Sequence, residues 1–200
     1  MHISKENVLC TIMILSIPSR IQKHLIPLYE KLLKQAENHP EVEILCLIDN
    51  KKMSIGEKRQ SLIDVARGKW VAFMDDDDDV TDDYMETIVN TIKKEPADVI
   101  TFDQHCIVNG KEFTVNFDMD NPNQRYIPGM THVKRPPFHM CFWRAEIAKQ
   151  AKMESSSYGE DFAWCLLMYP KVQSETHIDK ILHLYRYDDR TSESIQFMKK

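Results

Sequence analysis

The stretch KWVAFM at residues 69–74 runs directly into five consecutive carboxylates, DDDDD, at residues 75–79. A short apolar run without an acidic interruption is typical of a buried strand, and acids that follow it would lie at the rim of a sheet. In open α/β sheets, ligands bind in the crevice beyond the carboxyl ends of the strands. Clustered carboxylates at that place suit a hard divalent cation that also holds phosphates. The stretch therefore predicts a metal-nucleotide site at the edge of a sheet.

The segments around this strand alternate between strand and helix patterns. Apolar, partly β-branched runs at 8–16 and 42–48 predict two strands, and the leucines between them recur at helical spacing over 21–38. Further helices are expected at 58–66 and 82–94, and a fourth strand at 98–102. A strand–helix–strand start implies a right-handed crossover and a parallel strand pair. We therefore expect a three-layer α/β/α fold with a mainly parallel central sheet.

The second half of the chain has a different pattern. Asn109-Gly110 between two apolar segments predicts a hairpin, and hence a small antiparallel addition to the sheet. Residues 118–137 are polar and contain four prolines, which predicts a long functional loop. A strand at 138–143, helices at 145–152 and 160–168 and a last strand at 178–187 are expected after it. At 200 residues the chain is long enough for one well-buried domain, so we assign residues 1–200 to a single domain.

Composition limits the classes of partner. The formal net charge of -5 gives no general attraction to nucleic acid. The five cysteines form no C-x-x-C pair, which argues against a disulfide framework or a structural zinc site and favours a reducing cytosol. The longest apolar run, around 8–17, is shorter than the roughly 20 residues that span a bilayer. We expect a soluble, cytoplasmic protein without a transmembrane segment, and a peripheral position at a membrane stays open.

Four interpretations of the acid run compete. It could be a solvated acidic turn, a calcium loop, a phosphatase-type Asp-x-Asp, or an Asp-x-Asp that bridges Mn²⁺ or Mg²⁺ to the diphosphate of a sugar nucleotide. The spacing fits a calcium loop, but Val80 stands where the sharp turn of that loop needs Gly. The phosphatase would need further catalytic residues at later strand ends, which the pattern after Asp103 does not provide. The strand before the acids argues against a solvated turn and against a calcium loop, which a helix would precede, and the sugar-nucleotide interpretation stays open.

Five segments, taken in order, resemble family 2 glycosyltransferases of the GT-A fold. They are ILSIPSR at 14–20, EILCLID at 43–49, GEKRQ at 56–60, ARGKWVAFMDDDD at 66–78 and GEDF at 159–162. The resemblance implies metal-dependent, inverting transfer of a hexosyl group from a nucleoside-diphosphate sugar, with a UDP-sugar favoured, to a hydroxyl of a glycan, lipid-linked or protein-linked acceptor. It also implies a nucleotide-sugar-binding half at 1–103 and an acceptor-binding and catalytic half at 104–200.

The resemblance assigns donor-binding roles to two groups of residues. The loop from Pro18 to Arg20 and Asp49 would line the base pocket, with the Asp49 carboxylate accepting the N3–H of a uracil. The remaining donor contacts would approach the base, ribose and diphosphate. The complete implied set is Pro18, Ser19, Arg20, Asp49, Lys58, Arg59, Asp75, Asp76 and Arg190.

The resemblance also assigns the metal ligands and the catalytic acids. Asp77 is the implied metal ligand and Asp75 the acid near the ribose, but five acids in a row leave the register open, so Asp76 and Asp78 stay candidates. The family's closing segment often carries a metal-binding His, and this sequence has Asp188 near that point, with His183 upstream. The implied metal set is Asp77, Asp75, Asp78 and Asp188. Asp161 would be the general base, assisted by Glu160, whereas His132 and His139 are interpreted as loop or core residues.

Two other classes of function remain as alternatives. A sugar-1-phosphate nucleotidyltransferase would share the α/β start but should carry a Gly-rich phosphate loop after the first strand, which residues 17–20 lack. A non-catalytic calcium-binding module would need the acids but not Asp49, Arg59 or Asp161. The chain is short for a glycosyltransferase, which is compatible with one domain of a longer multidomain polypeptide.

Overall fold

The computed structural model describes residues 7–187. The strands in that range are β1 (Cys10–Ser16), β2 (Val42–Ile48), β3 (Trp70–Asp75), β4 (Asp79–Val80), β5 (Val99–Val108), β6 (Lys111–Phe117), β7 (His132–Arg135), β8 (Phe142–Arg144) and β9 (Glu175–Tyr187). The α-helices are α1 (Ile26–Ala36), α2 (Ile55–Val65), α3 (Tyr84–Lys94), α4 (Ala145–Ala148) and α5 (Glu160–Met168).

These strands form one mixed sheet. Its main path runs β2-β1-β3-β8-β5-β6-β7, with β1 parallel to both β2 and β3. β5 pairs antiparallel with both β8 and β6. β5 also pairs in parallel with β9, and β9 pairs antiparallel with β4. The predicted α/β fold, with a mostly parallel central sheet and antiparallel strands in the second half, is confirmed.

The helices and the strand order create the crevice in which a ligand can lie. α1 contacts α3, whereas α2 contacts α5, so the helices form two separate layers. The chain moves from β1 outward to β2 and then returns past β1 to β3, so the strand order reverses between β1 and β3. The carboxyl ends of these two strands therefore flank a topological switch point, where α/β sheets bind ligands.

Aromatic packing sets the position of α5 against this edge. Trp164 of α5 is fully buried and meets Phe73 of β3 edge to face, with ring centroids 5.7 Å apart. Its indole Nε1 donates to the carbonyl of Ala151 at 3.1 Å, which satisfies the buried polar atom. The first turn of α5, which carries Glu160 and Asp161, is thereby held near the end of β3.

Two helix starts differ from the sequence-based predictions. The helix predicted from residue 21 is α-helical only from Ile26, after a 3₁₀ turn at Pro18–Arg20 and a π turn at Ile21–Leu25. Pro27 accounts for the difference, because its ring is tolerated in the first turn of an α-helix but not in the interior. α2 begins at Ile55, before the predicted residue 58, because Ser54 and Glu57 form a capping box.

The strand predictions also need corrections. β5 is one continuous strand through the segments predicted as a fourth strand and the first half of a hairpin. Residues 132–135, which we predicted to be part of a long loop, form β7 because they pair in parallel with the end of β6. β4 lies inside the acid run itself, where its pairing with β9 imposes a strand on Asp79 and Val80. These are non-local pairings that local propensity does not reveal.

Gly56 provides a stability test of the contact between α2 and the segment before α5. A Cβ at Gly56 would lie 1.8 Å from the carbonyl oxygen of Glu154, and the Gly56 amide donates to the carbonyl of Ser156 at 2.8 Å. We expect Gly56→Ala to lower the free energy of unfolding by about 1–3 kcal/mol, because backbone atoms have to move apart. Urea denaturation measures the loss.

Ser61→Ala, on the same helix, is the matched control and should change stability by no more than about 0.5 kcal/mol. Equal unfolding free energies for the two variants would show that the segment around Glu154 moves away from the added Cβ without a loss of stability.

No helix within residues 7–187 is long and apolar enough to cross a membrane.

Candidate functional site

The five acids at the end of β3 have different partners. β3 ends at Asp75, which pairs with Leu15 of β1, and the backbone then turns so that the Asp78 amide donates to the Asp75 carbonyl at 3.1 Å. Asp79 lies on β4, and its carboxylate is 3.0 Å from the Lys31 ammonium. The run is therefore a turn between two strands, and each carboxylate points to its own surroundings.

Arg20 neutralises the second and third acids. Its guanidinium donates to Asp76 from both Nε and the terminal nitrogen, at 2.8 and 2.7 Å, and also lies 2.8 Å from Asp77. Asp76 is buried and accepts a further hydrogen bond from the Ser16 hydroxyl. The Asp77 side chain is 37% exposed. Burial raises the pKa of Asp77, although Arg20 opposes the shift. Asp77 is thus the member of this pair with oxygen atoms open to the crevice.

Asp78 faces an internal imidazole. Its Oδ2 lies 3.2 Å from Nε2 of His183 on β9, and both side chains are almost fully buried. The other imidazole nitrogen lies 2.9 Å from the amide nitrogen of Gln104. Asp78 Oδ1 has no hydrogen-bond partner. His183, noted in the sequence only as lying upstream of the closing segment, is therefore in direct contact with the acid run.

The ends of β1 and β2 carry the predicted base-pocket residues. The 3₁₀ turn that contains Pro18 and Ser19 follows β1, and Asp49 follows β2 at the same edge of the sheet. Lys58 of α2 joins the two ends, since its ammonium lies 2.9 Å from Asp49 and donates to the Ser16 carbonyl at 3.4 Å. Lys58, together with backbone amides, lowers the pKa of Asp49 to about 2, so Asp49 is an anion at neutral pH.

Arg59 links three elements of the site. This buried guanidinium donates to Asp75 Oδ1 at 2.9 Å and to Glu160 Oε1 at 3.3 Å, and it lies over the Phe73 ring at 4.8 Å from the centroid. α2, β3 and α5 therefore meet at one cation. A charged group buried this deeply is stable only when it is paired.

His139 lies between two of the predicted site acids. Its Nδ1 is 3.3 Å from Asp161 Oδ2, and its Nε2 is 3.8 Å from Asp75 Oδ2. The His139 carbonyl accepts from the Phe73 amide at 2.9 Å, which fixes the segment beside β3. We interpreted His139 as a loop or core residue, and it is indeed buried, but the sequence contains no signal for its contact with these acids.

The two adjacent acids of α5 have opposite electrostatic environments. Burial raises the pKa of Glu160, and the nearby Arg59 only partly offsets that effect. Burial acts in the same direction on Asp161, but His139 and Arg59 outweigh it and hold the pKa of Asp161 well below its usual value. Asp161 is therefore an ionised carboxylate at neutral pH. Adjacent carboxyl groups whose pKa values are driven apart are a common feature of acid–base sites.

Removal of the Arg59 cation should be costly. Arg59→Met would leave Asp75 and Glu160 without their buried cation, and we expect a loss of about 3–5 kcal/mol in the free energy of unfolding. Urea denaturation in metal-free buffer measures this loss. The control Lys94→Met removes an exposed ion pair with Glu95 at 3.1 Å and should cost no more than about 1 kcal/mol. Equal losses in the two variants would contradict a stabilising role for Arg59.

A family model described as glycosyl transferase family 2 matches residues 32–145, more than half of the chain. The chain belongs to this family. The match begins inside α1 and ends at the first residue of α4, so it contains β3, the acid run and Arg59. No curated protein matches the chain in a sequence comparison.

Solved structures with a similar fold include S. aureus TarS. TarS 1-349 in complex with UDP-GlcNAc has a TM-score of 0.65 and 14% sequence identity, and the alignment covers 90% of this chain and 59% of that chain. A longer TarS structure has a TM-score of 0.61 and 13% identity, with 90% and 37% of the two chains covered. The family 2 chain described here therefore has the GT-A fold and spans less than two thirds of these TarS chains.

The acid run of this family 2 chain offers oxygen ligands of the type that a hard divalent cation prefers, although within residues 7–187 no three of its acids have ligand atoms within 4.8 Å of one another. The side chains of Asp75 and Asp77 are 35% and 37% exposed, so carboxylate oxygens face the crevice, and oxygen ligands are those that Mg²⁺ and Mn²⁺ prefer. The Oδ1 of Asp78 has no hydrogen-bond partner, but this atom is buried. Asp188 and Arg190, also predicted as site residues, lie outside the described residues.

Proposed function

We propose that the chain is a metal-dependent, inverting glycosyltransferase that moves a hexosyl group from a UDP-sugar to a hydroxyl of a glycan, lipid-linked or protein-linked acceptor. The observation that carries the proposal is the meeting of Asp75, Arg59 and Asp161 at one edge of the sheet, beside the open carboxylate of Asp77. Family membership supports transfer of a sugar. The fold shared with TarS in complex with UDP-GlcNAc supports a UDP-sugar as donor.

The donor would lie across the carboxyl ends of β1, β2 and β3. Asp49, as an anion between β2 and α2, is suited to accept the N3–H of uracil. Asp77 with Asp75 would hold Mn²⁺ or Mg²⁺, which when bound would offset the charge of the diphosphate. Arg20 and Arg59 hold the surrounding carboxylates in place, and Arg20 reaches both Asp76 and Asp77. The arrangement supplies fixed charge where a leaving UDP needs it.

The transfer step is a single displacement. Asp161 accepts the proton from an acceptor hydroxyl, and the oxygen attacks the anomeric carbon on the face opposite the diphosphate. The new C–O bond forms as the bond to UDP breaks, so the configuration inverts. His139, 3.3 Å from the Asp161 carboxylate, would hold its orientation, and Glu160 would assist from the same helical turn. General-base catalysis of this kind contributes about 10²- to 10⁴-fold.

Binding of UDP tests the donor assignment. We expect Asp49→Asn to weaken UDP binding in the presence of Mn²⁺ by about 10- to 100-fold, because a hydrogen bond to a charged group is worth about 1.5–3 kcal/mol. Calorimetric titration measures the affinity. Asp64→Asn, on an exposed part of α2, is the control and should bind as the wild type does. If the wild type binds no nucleotide at all, the proposed function is wrong.

Donor choice is tested by hydrolysis of UDP-, GDP- and dTDP-sugars with the unchanged chain. The proposal expects the fastest release of sugar from a UDP-sugar. A sugar-1-phosphate nucleotidyltransferase would instead bind a nucleoside triphosphate and release pyrophosphate. A calcium-binding module would bind the cation without any nucleotide.

A further inference from the structure

We propose that the chain has a second cation site, separate from the acid run, in which Asp103 of β5 and His177 and Asp179 of β9 bind Zn²⁺. One ligand atom from each residue lies within 4.8 Å of those of the other two. The Nε2 of His177 is 3.7 Å from Asp103 Oδ1. The separation is close to that of ligands around one ion, because Zn²⁺ binds imidazole nitrogen and carboxylate oxygen at about 2.0–2.2 Å.

The pairing of β5 with β9 places these residues close together, and an irregularity in the sheet lies beside them. Phe102 pairs with Ile178, but the next residue of β5, Asp103, pairs with Ile181. β9 therefore bulges, and Asp179 lies in the residues that have no counterpart on β5. Bulges redirect a side chain locally and often occur next to functional sites. β9 contains two of the three residues, His177 and Asp179, and β5 contains the third, so no single segment carries the whole set. The cysteine pattern gave no sign of zinc because these ligands are carboxylates and an imidazole.

The surrounding hydrogen bonds prepare His177 as a metal ligand. The fully buried Thr101 hydroxyl donates to Glu175 Oε1 at 2.6 Å, and it lies 3.0 Å from His177 Nδ1. Because the hydroxyl proton is used on Glu175, the hydroxyl oxygen accepts from Nδ1–H of the imidazole. The lone pair of a neutral His177 is then on Nε2, the atom that faces Asp103. Imidazoles that bind metals are commonly held by a hydrogen bond to the other nitrogen in this way.

Asn116 occupies the remaining side of the cluster. Its side-chain nitrogen lies 2.8 Å from Asp103 Oδ1 and 3.2 Å from His177 Nε2. The Asn116 side-chain oxygen accepts from Nδ2 of Asn121 at 2.8 Å, so the amide nitrogen faces the cluster, and a bound ion would take the place of that nitrogen. The competing explanation is a polar cluster joined by the Asn116 amide without any ion. Two carboxylates around an imidazole lone pair favour a cation, and the mixed nitrogen and oxygen set favours Zn²⁺ over the oxygen-seeking Mg²⁺ and Ca²⁺.

The consequence for the molecule is a fixed position for β9. The strand continues from Asp179 to His183, which lies 3.2 Å from Asp78 of the acid run. An ion that joins β5 to the bulge would hold the register of β9, and with it the imidazole behind the acid run. The inference does not depend on the proposed transferase activity, since zinc binding is measured without donor or acceptor.

Calorimetric titration of the full chain with ZnCl₂, in excess Mg²⁺ to occupy oxygen-only sites, tests the proposal. The expected result is one equivalent of Zn²⁺ bound by the wild type and by Asp77→Asn, and none by His177→Gln. Thr101→Val should weaken binding by about 10- to 100-fold, because it removes the support of the imidazole but no ligand. Glu112→Gln, an exposed acid beside His105 on the same sheet, should bind as the wild type does.

Thermal unfolding provides a second readout. At a free Zn²⁺ concentration about 100 times Kd, Tm should rise by about 5–10 °C in the wild type and in Asp77→Asn, and not in His177→Gln. Circular dichroism of each variant establishes that it is folded before titration. Equal zinc affinity in His177→Gln and the wild type overturns the proposal, as does a binding event that Asp77→Asn removes. Either result would leave the cluster as a hydrogen-bonded group completed by Asn116.

Discussion

Asp77→Asn is expected to abolish metal-dependent transfer and to weaken donor binding. Among the acids paired with Arg20, Asp77 has the side chain exposed to the crevice, at 37%, and the amide keeps its shape while removing the charge that would hold a cation. A bound metal contributes several kcal/mol to stabilisation of the transition state. We therefore expect kcat/KM to fall by about 10³-fold or more. Transfer rates measured over a Mn²⁺ titration, with UDP affinity from calorimetry, give both quantities.

Asp79→Asn is the matched control for this variant. Asp79 belongs to the same acid run, but its carboxylate pairs with Lys31 at 3.0 Å on β4. The control should keep its transfer rate within a few-fold of the wild type, because exposed ion pairs of this kind contribute about 1 kcal/mol or less. If Asp79→Asn lost transfer and Asp77→Asn kept it, the register of the metal ligands would be wrong.

Asp161→Asn is expected to remove turnover while leaving donor affinity nearly unchanged. Asp161 is ionised at neutral pH because His139 and Arg59 stabilise its charged form against the effect of burial. The asparagine side chain cannot accept the proton of the acceptor hydroxyl, so kcat should fall by about 10²- to 10⁴-fold. Initial-rate assays of transfer measure the loss of turnover, and calorimetric titration with UDP measures the donor affinity.

Glu154→Gln, an exposed residue shortly before the same helix, is the control and should transfer at the wild-type rate. A parallel loss of UDP affinity in Asp161→Asn would mean that the carboxylate supports the donor pocket and is not the base. If Asp77→Asn and Asp161→Asn both kept wild-type transfer rates, the site assignment as a whole would be wrong.

The first half of the chain was predictable because its signals are local. The strands at 10–16, 42–48 and 70–75 are apolar runs bounded by polar residues, and the helices between them have helical leucine spacing or a capping signal. The parallel order then follows from the handedness of crossover connections. From this alone, Asp49 and Asp75 had to lie at the same edge of the sheet, and they do.

The second half was less predictable because its strands depend on distant partners. β7 is polar and short, and it exists because its backbone pairs with β6. The bulge between β5 and β9 likewise depends on the register between strands more than 70 residues apart, which no local pattern specifies. Asp188 and Arg190 lie outside the described residues, so their assigned roles stay predictions.

The fold class, the edge of the sheet that carries the site, and the residue types that suit a cation and a nucleotide could all be inferred from the order of the residues. The tertiary structure alone decided which partner each charge meets. In the folded chain Asp76 pairs with Arg20, Asp78 with His183, and Asp161 with His139. The carboxylates of the acid run and of α5 look alike in sequence, but burial and the nearest cation, both set by distant segments, make them chemically different.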